Sequence, residues 1–267
     1  MKPALGLIAG NGKLPILLST SIRKAGHRLA AVAHIGETRK DLKRYVDSLK
    51  WVQIGQLEEL IQFLKGEKVQ SVLMAGGVSK THFFSRLKPD ARALQVLSRL
   101  RDKKDDAILR AIAEEIESEG MAVVSPALFL GEHLASQGCW TMRQPTEREK
   151  KDVAFGWELA QQMGALDIGQ SVVVKDQIIL AVEAIEGTDE AIRRGGKLGR
   201  GDVAVIKICK PKQDPRLDLP VIGISTLRVL KKSGGSLLAV EAGKTIVVDK
   251  EAVIREADRS HLCLMGL

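Results

Sequence analysis

Apolar and polar positions follow two different patterns along this chain. In the first half, short apolar runs are separated by amphipathic stretches. Residues 5–9 form such a run, which ends in Gly10-Asn11-Gly12. Pro15 then stands where the first turn of a helix tolerates it, and residues 16–25 keep helical spacing up to Gly26. Residues 29–35 (LAAVAHI) predict a second buried strand, residues 51–54 a weaker third, and residues 57–65 a helix stopped by Gly66. Residues 69–75 (VQSVLMA) predict another strand, closed by Gly76-Gly77. Residues 105–119 carry Ile108, Ile112 and Ile116 at four-residue spacing, which marks an amphipathic helix. Residues 121–124 follow as a strand closed by Ser125-Pro126. Strands alternating with helices predict an α/β domain with a parallel, doubly wound sheet.

The pattern changes near residue 138. The stretch GCWTMRQPTEREK is polar, carries Pro145 and has no periodicity. It predicts a linker over residues 138–150, between an N-terminal domain of residues 1–137 and a C-terminal domain of residues 151–267. Thr146 or Glu147 opens a helix running to about Met163. Residues 171–174 and 178–184 flank Lys175-Asp176-Gln177 as a tight hairpin. Residues 186–189 turn into a short helix through Arg194, and residues 202–208 predict a strand. Residues 226–232 look helical, and residues 236–240 and 245–248 predict a closing hairpin around Ala242-Gly243. The second half therefore reads as a distinct α+β domain with antiparallel pairs.

Composition narrows the partners. The chain has 267 residues, 45% of them hydrophobic, enough to bury a core without staples. Three widely spaced cysteines with no CxxC pattern weigh against a structural zinc site or a disulfide framework. The net charge of +8 favours acidic partners, whether phosphorylated ligands, nucleic acid or an anionic membrane face. Aromatics make up only 3%, which weighs against a base-stacking nucleic-acid binder. No stretch reaches the roughly 18 apolar residues that span a bilayer. The expected location is cytoplasmic, with any membrane contact peripheral.

Four segments could carry chemistry. Gly10-Asn11-Gly12 lies between a strand and a helix, where glycines let backbone N–H groups approach a phosphate. Pro15 stands where the third glycine of a dinucleotide fingerprint belongs, so a plain turn fits as well. Gly76-Gly77-Val78-Ser79-Lys80 follows a second parallel strand, so both glycine turns fall on one sheet edge. There Lys80 and His82 could meet an anion, although each alone fits a solvated loop. In AVEAIEGTD, Glu183 shares a face with Ile179, Ala181 and Ile185, and Glu186 ends the run. Carboxylates set among apolar neighbours tend to mark sites, whereas Asp189 also suits the first turn of a helix. Lys210-Pro211-Lys212-Gln213-Asp214-Pro215-Arg216-Leu217-Asp218 mixes both charges between prolines. Arg216 suits a phosphate, and Asp214 and Asp218 could ligate Mg²⁺ or position a water. Carboxylates beside basic residues suit a magnesium-assisted phosphoryl or pyrophosphate hydrolysis.

The segments GLIAGNGKLP, PALFLGEHLA, LAVEAIEGTDEAIRRGG and KPKQDPRLDLPVIGIST together resemble the LpxI-type UDP-2,3-diacylglucosamine pyrophosphatase family of lipid A biosynthesis in Gram-negative bacteria. The resemblance runs over nearly the whole chain, from Gly6 to the expected C-terminal hairpin, and its E-G-T-D and Q-D-x-R-x-D-x-P segments are the specific ones. It implies a Rossmann-like N-terminal domain, a distinct C-terminal domain, and a lipid substrate in the crevice between them. It implies cleavage of UDP-2,3-diacylglucosamine to lipid X and UMP with Mg²⁺, at the inner face of the inner membrane. An essential aspartate would match Asp214 or Asp218, with Asp218 favoured. On this reading Asp214, Asp218, Glu183 and Glu186 are the catalytic candidates, and Asp214, Asp218 and Glu186 would hold the metal. The substrate-binding candidates are Gly10, Asn11, Gly12, Gly77, Ser79, Lys80, Thr188, Asp189, Arg193, Arg194, Lys210, Gln213 and Arg216. A homodimer is compatible, and no nucleic-acid partner is expected. The competing readings are an NAD(P)-dependent enzyme, with Glu37 as the acid after the second strand, and a nucleic-acid-binding protein suggested by charge alone.

Overall fold

The computed structural model describes residues 3–78, 87–100 and 105–267. The chain folds into two compact units, Met1–Gly131 with Asp214–Asp218, and Glu132–Gln213 with Leu219–Leu267.

The first unit runs β1 (Ala4–Ala9), α1 (Leu14–Lys24), β2 (Leu29–His34), β3 (Ser48–Val52), α2 (Leu57–Gly66), β4 (Val69–Ala75), α3 (Ala91–Ser98), α4 (Asp105–Ser118) and β5 (Ala122–Val123). Its five strands are parallel in the order β3-β2-β1-β4-β5, so the doubly wound sheet is as the alternation predicts. Its strands are apolar on both sides because both faces are covered. Ala30, Val32, Val72 and Met74 pack with Leu60, Ile61 and Leu64 of α2 and Ile116 of α4. The alternate residues Leu7, Ala31 and Leu73 are fully buried, as are Leu18 and Ile22 of α1. The weak third strand begins earlier than its apolar residues suggest, at Ser48, and α3 lies outside the predicted elements. Asp90 starts that helix: its Oδ1 accepts from Ala93 N at 2.8 Å and its Oδ2 from Glu58 N at 2.8 Å. One carboxylate thus caps two helices.

The second unit runs β6 (Gly138–Cys139), α5 (Glu147–Ala165), β7 (Ser171–Lys175), β8 (Ile178–Val182), α6 (Thr188–Gly199), β9 (Val203–Lys207), β10 (Val221–Ile222), α7 (Ile224–Lys232), β11 (Gly235–Val240), β12 (Ile246–Val247), α8 (Lys250–Arg259) and β13 (Cys263–Gly266). Six strands form one mixed sheet in the order β6-β13-β11-β9-β7-β8, and β10 pairs with β12 apart from it. The hairpin β7–β8 forms as expected through Asp176 and Gln177, whose φ of 52° and 58° give the turn the hand a two-residue hairpin needs. Period-two alternation divides the core. Val172, Val174, Ala204 and Ile206 face Val153, Ala160 and Met163 of α5. Val173, Ala181, Val203, Val205 and Leu238 pack with Ile192 of α6, Leu227 and Leu230 of α7, and Val253 of α8.

Two expectations are corrected here. The closing hairpin does not form: β11 pairs in parallel with β9 and β13, and β12 pairs in parallel with β10. The run LLAV is buried on both faces, as a central parallel strand is, rather than alternating as a solvated hairpin does. The antiparallel pairs expected of this domain form between β7 and β8, β7 and β9, and β6 and β13, within a mixed sheet closed by α8 and β13, which the sequence pattern did not separate. The expected linker 138–150 is folded into the second unit. Cys139 pairs with Met265 of β13, Thr141 Oγ1 accepts from Leu264 N at 3.1 Å, and Met142 N donates to Asp258 Oδ1 at 2.8 Å. Its polar residues serve the sheet edge and the start of α5, where Thr146 and Glu149 make a capping box.

In the first unit Arg92 of α3 joins α2 to α4. Its guanidinium reaches Glu58 at 2.9 Å, Glu115 at 2.7 Å and also Glu119, while Lys65 of α2 reaches Glu119 at 2.6 Å. Lys65 and then Arg92 pull the Glu119 carboxyl from its ordinary 4.5 down to about 2. Its folded value is the lower one, so its stabilisation is complete above about pH 4.5 and is lost as pH falls toward 2. The melting temperature should therefore fall over that interval in a pH series, and Glu119→Gln should flatten part of the fall. An identical pH series for the variant and the parent would disprove the role of Glu119.

Candidate active site

The strand order of the first unit reverses between β1 and β4, and parallel sheets bind ligands beyond the strand ends at such a switch point. Both glycine turns leave the sheet here. Gly10 N donates to Ala75 O at 2.8 Å and Asn11 N to Gly77 O at 2.7 Å. The approach is so close that a Cβ on Gly10 would lie 2.3 Å from Gly77 O, and one on Gly76 2.3 Å from Asn11 O. The N–H groups of Gly10 and Asn11, expected to cradle a phosphate, are thus spent in stitching the two turns together. What remains to face a ligand is Gly12 and the first turn of α1. Asn11 Nδ2 donates to Glu37 Oε2 at 3.0 Å. Ser79, Lys80 and His82 lie outside the described residues.

The segment Asp214–Asp218 belongs to this first unit although the residues on either side belong to the second. Leu217 is buried in the first core, and Ser125 Oγ donates to Pro215 O at 2.9 Å. Arg216 donates through Nε and Nη2 to Asp214, the latter at 2.8 Å, and through Nη1 to Glu117 of α4 at 2.9 Å. The guanidinium suited to a phosphate is therefore engaged by two carboxylates, and it holds the Asp214 carboxyl below the usual range. Asp218 is exposed at the end of this segment. Glu117 was not anticipated, because one carboxylate on an amphipathic helix looks like any other.

In the second unit the cluster lies at the ends of β7, β8 and β9. Ser171 is opposite Lys207, and Glu183 N donates to Ser171 O at 2.8 Å, so Glu183, Ser171 and Lys207 form a cross-strand row on the α6 side. Glu183 and Lys207 are 7% and 4% exposed. Lys207 Nζ donates to Thr188 Oγ1 at 2.8 Å, and Thr188 Oγ1 donates to Glu183 Oε1 at 3.0 Å. Glu183 Oε2 is buried and has no hydrogen-bond partner. Lys207 was missed by sequence reasoning, yet a lysine closing the apolar run VAVIK in register with Val203 and Val205 was the available signal.

The other candidates are dispersed within that unit. Arg194 donates to Val182 O at 2.8 Å and pairs with Glu186. A hydrogen bond from its own backbone N–H, aided by Arg194, holds the Glu186 carboxyl low. Arg193 pairs with Glu190, Asp189 lies in the first turn of α6, and Lys210 pairs with Asp167 at 2.6 Å. Gln213 N donates to Lys210 O at 3.0 Å. The structure thus joins Asp214 to Arg216, Glu186 to Arg194 and Glu183 to Thr188. The metal candidates Asp214 and Asp218 fall in one unit and Glu186 in the other. Among the described residues no three His, Cys, Asp or Glu side chains gather to hold a metal. This donor set is compatible with Mg²⁺, which takes one or two carboxylates together with substrate phosphates rather than an all-protein cage.

Comparison with known proteins covers both units. Residues 4–133 match the LpxI N-terminal domain and residues 136–265 the LpxI C-terminal domain. A UDP-2,3-diacylglucosamine pyrophosphatase LpxI of Caulobacter vibrioides is 37% identical over 98% of this chain and 97% of its own length. Among solved structures, N5-carboxyaminoimidazole synthetase from Staphylococcus aureus is 13% identical with a TM-score of 0.26; the match covers 57% of this chain and 35% of that one. The structure of gox2253 is 11% identical with a TM-score of 0.31, covering 100% of this chain and 90% of that one.

The close approach of the two glycine turns is directly testable. Gly10→Ala sets a methyl group against a carbonyl that no rotamer can move, and should cost about 1–3 kcal/mol in urea unfolding. Gly66→Ala, with open space around its Cβ, is the control and should cost nothing. Equal midpoints for the two variants would show that the turns can part freely.

Proposed function

We propose that this chain, which belongs to the LpxI family through both of its units, hydrolyses the pyrophosphate bond of UDP-2,3-diacylglucosamine to UMP and 2,3-diacylglucosamine 1-phosphate. The observation that carries this reading is the likeness to the Caulobacter pyrophosphatase, 37% identical over 98% of this chain, which covers both units. In such a reaction a water oxygen bonds to one phosphorus, the bridging P–O bond breaks, and the two phosphates separate.

The local geometry suggests a division of labour. The switch-point edge of the first unit, with Gly12 and the positive end of α1, suits an anionic nucleotide. Asp218 is an exposed carboxylate at the end of a strap that Arg216 and Leu217 hold in place, so it can keep its position while contacting solvent. It is the residue that would orient the water and hold Mg²⁺, while Asp214 is occupied by Arg216. The metal, when bound, would neutralise charge on the pyrophosphate oxygens. The net charge of +8 suits an anionic bilayer surface from which a diacylated substrate is drawn. None of the helices among the described residues is long and apolar enough to cross a membrane, so the contact proposed is peripheral.

The direct experiment incubates the purified chain with UDP-2,3-diacylglucosamine in detergent, with Mg²⁺ or with EDTA, and identifies the nucleotide released. Magnesium-dependent UMP is the expected product. Asp218→Asn should lower kcat by at least about 100-fold, the scale of losing a positioned acid–base group. Wild-type turnover by that variant would remove Asp218 from the chemistry, and a folded wild type that released no UMP would overturn the reaction itself.

A further inference from the structure

Lys207, Thr188 and Glu183 form a chain of hydrogen bonds whose direction the ammonium group sets. An ammonium group can only donate, so Thr188 Oγ1 must accept from Lys207 Nζ at 2.8 Å. The hydroxyl has a single proton, and Glu183 Oε1 at 3.0 Å is its nearer acceptor, with Ser171 Oγ farther off at 3.5 Å. Glu183 is left with one oxygen, Oε2, that is buried, lacks a partner and can only accept. A buried acceptor without a donor is destabilising, so this atom calls for a donor from outside the chain.

Its surroundings limit what that donor can be. Glu183 stands just past the end of β8, beside the first residue of α6, and Thr188 above it is half-buried. A phosphate is repelled by the carboxylate, and the hydrocarbon of an acyl chain has nothing to donate. The donors on a nucleotide-linked sugar lipid are the uracil N3–H, the amide N–H at C2 of the glucosamine and, most numerous, the hydroxyl groups of its two sugar rings. We propose that Glu183 Oε2 accepts a sugar hydroxyl of the substrate and that Lys207 is the positioning residue that aims it, through Thr188. This deepens the proposed reaction and rests on it.

The test separates binding from chemistry. In Glu183→Gln the single amide oxygen takes the Thr188 proton, as Glu183 Oε1 does, because it is the nearer acceptor and Lys207 still donates to that hydroxyl. The amide N–H then replaces Oε2 and meets the substrate hydroxyl donor to donor. KM for UDP-2,3-diacylglucosamine should rise at least about tenfold, with kcat little changed. Thr188→Val and Lys207→Met should raise KM in the same sense, while Thr188→Ser, which keeps the hydroxyl, should restore it. Thermal melting of each variant checks the fold, and the serine rescue stands even if the methionine variant unfolds. Inhibition by UMP locates the hydroxyl. Weaker inhibition of Glu183→Gln places it on the ribose, and unchanged inhibition together with a raised KM places it on the glucosamine ring. An unchanged KM in folded Glu183→Gln overturns the proposal: a fallen kcat would then assign Glu183 to the chemical step, and an unchanged one would leave it a structural or water-filled acceptor. A wild type that releases no UMP overturns the reaction and this inference together, and is seen before any variant is compared.

Discussion

In both units the sheet is covered on two faces, and a strand residue reaches a ligand only by standing past the end of its strand. Val203, Val205, Ala204 and Ile206 are completely buried, odd positions toward α6 and even ones toward α5. Lys207 is the first residue of β9 that can be polar, and there Thr188 from α6 accepts from its ammonium group. The same constraint acts in the first unit. Leu7 and Ala9 are buried, and the chemistry of β1 begins at Gly10 and Asn11. Apolar packing on both sides excludes polar groups from the strands and gathers them at the edges.

That constraint explains what the sequence made legible. Residues 69–75 read as a strand and are one, because an apolar run between a helix stop and Gly76-Gly77 has few other folds. The same logic failed for β11 and β12. Two apolar runs around Ala242-Gly243 look like a hairpin, but a sequence records that a residue is buried and not which neighbour buries it. The true partners of β11 come from β9 and from β13, which lies beyond another helix. Nothing local distinguishes a long-range parallel pair from a tight antiparallel one when both faces are apolar.

The strap Asp214–Asp218 shows a different limit. Its residue types correctly suggested a charged loop fixed by prolines, but its allegiance is decided by Leu217 entering the first core and by Glu117, 99 residues away, reaching Arg216. Arg216 has the planar fork that binds phosphate, and the same fork binds a carboxylate equally well. Here it meets Asp214 and Glu117. Residue chemistry therefore named the kind of partner, an oxyanion, without deciding whether the protein or a ligand supplies it. Asp218, at the end of the strap, is exposed to solvent.

The buried row in the second unit has the opposite balance. Burying a lysine and a glutamate around one hydroxyl is weak evidence for stability, since apolar residues of similar volume often serve as well or better. Tolerance of that cost, and of an unmet acceptor on Glu183, is easier to understand at a strand end than in a strand middle. Selection for stability alone would favour a donor for Oε2 or a methyl group in its place. A site that must hold a hydroxyl transiently has to leave its acceptor unfilled when empty, and the fixed direction of the Lys207–Thr188–Glu183 chain keeps that acceptor aimed without help from the ligand.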